Sequence, residues 1–252
     1  MQLVLYLLLY FTRARAGKIV PITLAQVDRP IVHQIFHLAV QIAIATHQHV
    51  TVMAVVMAAV VIKTTINSIW STMHTPNSLL SFWFEEIEHS LWFKKDVDFD
   101  LLLHERFGQL HTQASQGELY TWRKTAQGRL AEVIILDQFS RNLFRDSAKA
   151  FAQDGMALVL AQEAVRSGAD AALNAQERVF LYMPYMHSES LSIHETAVEL
   201  FTRNGIQGNL DFELKHKVII ERFGRFPHRN AVLARPSSND EILFLQQPGS
   251  GF

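Results

Sequence analysis

The chain has 252 residues, a formal net charge of −1 and no cysteine. Its length accommodates one large domain or two small ones. The absence of cysteine excludes disulfides, thiolate zinc sites and cysteine nucleophiles. A near-zero charge gives no electrostatic ground for a nucleic-acid partner or for an anionic membrane surface.

Two unlike pieces lie behind those averages. Residues 1–72 contain Arg13, Arg15, Lys18, Arg29 and Lys63 as bases and Asp28 as acid, and the charged, regular text begins after Ser71-Thr72-Met73. Met1–Phe11 is apolar with its arginines behind it, the reverse of a secretory signal. The uncharged stretch 35–62 is long enough to cross a bilayer. However, His37, Gln41, His47, Gln48 and His49 interrupt it, and the apolar core Val50–Ile62 falls short of the roughly 20 residues a span needs. The reading adopted is that translation starts at Met73, which implies a cytoplasmic protein, and that 1–72 is an apolar extension from a misplaced start. A single-pass membrane anchor within 35–62 and an interfacial apolar extension are the alternatives. His33, His37, His47 and His49 share no helical face and have no carboxylate nearby, so no metal is expected there.

From Met73 onward the text reads as helices with short joints. Thr75-Pro76 starts the first, and Asp96 caps a second whose apolar positions Phe99, Leu102, Leu103, Phe107 and Leu110 recur at helical spacing. Glu118–Arg123 forms a short turn. Thr125 caps a helix to about Phe139, and Asp146 or Ser147 starts a long one ending near Gly168. Asn174 caps the next, with Glu177 completing a capping box. Ser188 or Ser190 starts a helix to about Phe201. Asn204-Gly205 and Gly208-Asn209 bracket a loop, Leu210–Arg222 is helical, and Ser237 or Ser238 caps a short last helix. No stretch alternates with period two between turn pairs, so the expected fold is all-α, an array of about eight helices over 73–252.

Three stretches hold the candidate chemistry. In Arg129–Arg145, Asp137 falls on the face of Leu130, Val133 and Ile134. A buried carboxylate needs a partner or a raised pKa, and Arg141 or Arg145 is in reach. In Arg178–Ser190, His187 lies on the face of Phe180 and Met183, and Pro184 removes one helical hydrogen bond just before it. In Glu221–Arg235, Phe223 and Phe226 anchor a loop from which Arg222, Arg225, His228 and Arg229 project. Such guanidinium groups suit a carboxylate or phosphate, or else pair with internal acids such as Asp137 and Glu189. No phosphate loop, dinucleotide fingerprint, zinc helix or nucleophile elbow is present, and no cofactor is expected.

The blocks LDQFSRNLFR, FLYMPYMHSES and FGRFPHRN, with FWFEEIEHSLWFKKDVDFD before them and FLQQPGSGF at the end, resemble the bacterial family known as domain of unknown function 924 (DUF924). The resemblance covers 73–252 and implies a fold similar to the tetratricopeptide-like (TPR-like) superfamily, a right-handed stack of helical hairpins. It implies no activity, cofactor or substrate. The positions it marks are Asp137, Gln138, Arg141, Asn142, His187, Ser188, Glu189, Arg225, Pro227, His228, Arg229 and Asn230. The expected function is binding of a small anionic ligand or peptide carboxylate in a groove lined by Arg, His and Asn. One alternative is a metal-independent, hydrolase-like enzyme in which His187 or His228 is general base, oriented by Asp137 or Glu189. A membrane-anchored helical protein is the other.

Overall fold

Side-chain oxygens set most of the helix starts. In a computed structural model that describes residues 74–251, the Thr75 hydroxyl accepts the Ser78 amide at 3.1 Å, and Asp96 accepts that of Phe99 at 3.1 Å. Thr125 accepts the amide of Gly128 at 3.0 Å. Asn174 with Glu177 and Ser238 with Glu241 form reciprocal capping boxes. Each cap satisfies an amide that the first helical turn leaves orphaned.

The elements are α1 (Pro76–Ser81), prolonged by a π turn (Phe82–Glu86), α2 (Val97–Ser115), α3 (Ala126–Ile134), α4 (Ser140–Leu143), α5 (Asp154–Arg166), α6 (Ala175–Met186), α7 (Leu191–Asn204), α8 (Gln207–Phe223) and α9 (Asn239–Leu245). A second π turn, Ile135–Phe139, joins α3 to α4 as one continuous rod, which makes eight helical rods among the described residues. No strand occurs among the described residues, and the all-α expectation holds.

The α3–α4 rod is the axis. It packs on α1, α2, α5 and α6, and α6, α7 and α8 follow as successive neighbours. Every residue from Leu130 to Ser140 is buried, the mark of a helix enclosed on all sides rather than lying on a surface. Trp83 at 0% exposure packs its ring against Phe99, Phe139 and Phe180, and its carbonyl accepts the Trp92 indole N–H at 2.9 Å. A small satellite core of Ile219, Ile220 and Phe226, covered by Phe223 and Phe244, pins the loop after α8.

Two helix starts differ from expectation. Asp146 adopts a left-handed conformation (φ 59°), and Ser147 caps a 3-10 turn, Ala148–Phe151, so the long helix begins only at Asp154. Ser190 stands at the N-cap of α7 as expected, although its hydroxyl pairs with Ser192 at 3.1 Å and not with a helix amide. Gly208 and Asn209 lie inside α8, which leaves a short joint at Gly205, a left-handed helix end (φ 80°). No helix among the described residues is long and apolar enough to cross a membrane. The anchor, start-site and histidine readings of 1–72 lie outside the described residues.

Candidate functional site

Asp137 sits in the π turn of the axial rod, wholly buried. An ionised carboxylate there demands several donors. Its Oδ1 lies 2.8 Å from His187 Nδ1 and 3.1 Å from Arg141 Nη1, and its Oδ2 accepts from the Gln138 amide at 2.6 Å. Burial alone would raise its pKa. The charge of Arg141, the His187 interaction and the Gln138 bond outweigh burial and hold the carboxyl well below the usual range. Arg141 is tied down further, donating to the Asp137 carbonyl at 2.7 Å and to Asp154 at 3.2 Å.

His187 is the C-terminal cap of α6, three residues after Pro184. Burial, then the neighbouring Arg141 charge, lowers its pKa and outweighs the pull of Asp137. The ring is therefore neutral at pH 7. Hydrogen bonding to an ionised carboxylate fixes the proton on Nδ1 and leaves the lone pair on Nε2, and Nε2 has no partner among the described residues.

Arg229 ends the 3-10 turn Pro227–Arg229 and is buried rather than projecting. Its guanidinium carbon lies 4.5 Å from the ring centres of both Phe151 and Phe226, and its Nη1 donates to Asp154 at 3.1 Å. Its Nε is buried without a hydrogen-bond partner. Burial, then repulsion from Arg141, lowers its pKa to about 10, so it stays charged at neutral pH. Asp154, in the first turn of α5, thus bridges two arginines.

These groups meet at a pocket of about 330 Å³. Asp154, His187, Ser188, Glu189 and Arg229 form its polar wall, and Phe151, Leu158, Pro184 and Leu233 its apolar one. Glu189 has its acceptors filled by the Phe226 amide at 2.8 Å and by both terminal nitrogens of Arg235 at 2.6 and 2.9 Å. Burial would raise its pKa, but these bonds keep it lowered.

Of the residues marked in the sequence, His187, Ser188, Glu189 and Arg229 line the pocket, with Asp137, Gln138 and Arg141 directly behind them. The others face elsewhere. Asn142 joins Arg145 on Asp100, Arg225 makes a bidentate pair with Glu241, and Asn230 holds Ser237 and Arg235. His228 packs at a tilt against Phe226, ring centres 5.6 Å apart, its pKa pushed down to about 4 by burial and then by Arg229. Two participants were missed, Asp154 and Arg235. Asp154 reads in sequence as ordinary charge at a helix start, and Arg235 as the end of a basic loop. No group of residues that could hold a metal ion occurs among the described residues.

An all-helical protein with a polar pocket backed by a buried carboxylate is the class that fold and site define. A family model described as bacterial protein of unknown function (DUF924) matches residues 79–249, and the chain belongs to that family. The solved structure of a protein of unknown function, ATU0120 from Agrobacterium tumefaciens, is similar at 38% identity and a TM-score of 0.65, over 68% of this chain and 96% of that one. No curated protein matches the chain.

Proposed function

We propose that the pocket binds a small molecule through an acceptor-rich group, a carboxylate or carboxyl carbonyl, held by Arg229. The observation that carries this is the Arg229 guanidinium, buried at the pocket wall with one nitrogen on Asp154 and a buried Nε that has no acceptor among the described residues. A buried donor left unmet costs about 1–3 kcal/mol, which an acceptor able to approach the guanidinium would offset.

Charge balance narrows the ligand. Arg141 and Arg229 are matched by Asp137 and Asp154, Glu189 is matched by Arg235, and His187 is neutral. A monoanion with an apolar body fits that balance and the Phe151, Leu158, Pro184 and Leu233 wall better than a dianionic phosphate.

The test is a thermal-shift and titration-calorimetry screen of the full chain with aliphatic and aromatic monocarboxylates, inorganic phosphate serving as comparison. Stabilisation by a monocarboxylate that is lost in Arg229→Met, and weakened in Arg229→Lys where the planar fork is gone, supports the reading. Stabilisation that survives both substitutions, or none from any member of the panel, refutes it.

A further inference from the structure

Seating an acid group on Arg229 leaves the Nε2 lone pair of His187, at the pocket wall, unused. The fold shows what a purely structural histidine looks like at His194, eight residues from Met186 along the same pair of helices. His194 is wholly buried and uses both ring nitrogens, Nδ1 on Glu213 at 2.7 Å and Nε2 on the Ser188 carbonyl at 2.8 Å. His187 spends only Nδ1, on an ionised carboxylate, and keeps the basic nitrogen without a partner among the described residues, at the edge of a pocket. That is how a general base is held: a fixed tautomer, a fixed ring plane, and a carboxylate behind it to stabilise the imidazolium when it forms.

We infer that the chain hydrolyses a small carboxylic ester bearing a second, free carboxylate, with His187 as the catalytic base, Asp137 as its positioning residue and Arg229 as the carboxylate anchor. The inference rests on the ligand-binding reading above. Water entering from the open side of the pocket gives a proton to His187 Nε2 as its oxygen bonds to the ester carbonyl carbon. The tetrahedral intermediate then collapses, the ester C–O bond breaks, and the departing alkoxide takes the proton back from Nε2. An acid and an alcohol leave, and no oxidant, reductant or further reactant is needed. The lowered pKa of His187 agrees with this role, because the base form dominates at neutral pH.

The experiment uses the full chain with 4-acetoxybenzoate as substrate, phenyl acetate as its uncharged counterpart and 4-hydroxybenzoate as a non-reacting ligand. The expected result is turnover of 4-acetoxybenzoate with a kcat/KM at least ten-fold above that of phenyl acetate. His187→Gln lowers kcat by roughly 10²–10⁴-fold with KM nearly unchanged, while Arg229→Lys raises KM. Asp137→Asn lowers kcat and moves the acid limb of its pH profile to lower pH, since the imidazolium loses its counter-charge; a merely structural role leaves that limb in place. Binding of 4-hydroxybenzoate without turnover of 4-acetoxybenzoate overturns the catalytic inference and leaves the binding reading standing. Absence of both overturns the two together. Turnover that His187→Gln retains, in a variant whose Tm matches wild type, also overturns it.

Discussion

Replacing Asp137 by alanine removes the anion on which the site converges, and the structure sets the size of the effect. Breaking a buried ion pair from one side costs about 3–5 kcal/mol, because the other charge remains buried. Here the stranded groups are Arg141 and His187. Arg141 keeps Asp154 and the Asp137 main-chain carbonyl, which survives the substitution, and His187 is neutral. The loss therefore falls at the lower end, about 3 kcal/mol. At roughly 2–4 °C per kcal/mol for a domain of this size, Tm falls by about 6–12 °C. Urea unfolding of the full chain, followed by far-ultraviolet circular dichroism, reads the change as a lower midpoint at constant slope. Arg141→Met in the same background recovers about 1–3 kcal/mol relative to the sum of the single substitutions, because the two charges share a contact. A single Asp137→Ala variant within 1 kcal/mol of wild type, or strict additivity in the double variant, would show that this carboxylate is not what holds the rod to α6.

Acid sensitivity follows from the buried imidazoles. Burial first, with the Arg229 charge adding to it, pushes His216 down to about 3 and His228 down to about 4. A folded-state pKa below the unfolded value of about 6.5 means that the unfolded chain binds more protons between the two. This stability is fully present above pH 6.5 and is lost as pH falls toward 4, by roughly 1 kcal/mol per pH unit for each ring. Burial raises Glu213, whose contribution runs the opposite way and blunts the loss. Urea midpoints measured between pH 7 and 5 should therefore fall steadily; a flat profile refutes the assignment. Gly128→Ala tests the entry to the axial rod. A Cβ there would sit 1.9 Å from the Trp122 carbonyl oxygen, a backbone atom that cannot swing aside. The expected cost is at least the 1–3 kcal/mol of an overpacked core, again read from urea midpoints, and a neutral substitution would show that the 3-10 turn Tyr120–Lys124 gives way freely.

Helix starts were legible because a cap is a local device: Thr75, Asp96, Thr125, Asn174 and Ser238 each act on an amide a few residues ahead. The burial of Asp137 is legible too, although periodicity alone does not decide it. With Leu130 through Ser140 all enclosed, any residue of that stretch would have been buried whatever its face. Partner choice was not legible. Arg225 carries the same guanidinium as Arg141 and Arg229, and Asn142 the same amide as Gln138, yet they are taken by Glu241 and Asp100, which only the packing of α9 and α2 brings within reach. Glu241 illustrates the difficulty: its sequence context marks a capping box, and the same carboxylate also holds Arg225. The late start of α5 escaped notice because Asp146 takes a left-handed turn that glycine would have signalled and aspartate does not.

The π turn explains how one rod serves two neighbours. A single inserted residue turns everything after it by about 100° relative to a regular α-helix. Before and within the turn, Leu136 offers its carbonyl to Ser140 and Asp137 is directed at His187 on α6. Immediately after it, Ser140 meets His111 at 2.8 Å and Asn142 meets Asp100, both on α2. Without the insertion, a rod that kept Asn142 and Ser140 against α2 would swing Asp137 off the line to His187, and one that kept Asp137 in place would strand Ser140 and Asn142 in the core without their partners. Arg141 spans the join, reaching back to the Asp137 carbonyl at 2.7 Å and across to Asp154. The irregular turn is therefore a condition of the site's geometry, and the same five residues that depart from α-helical form carry the carboxylate on which both functional readings depend.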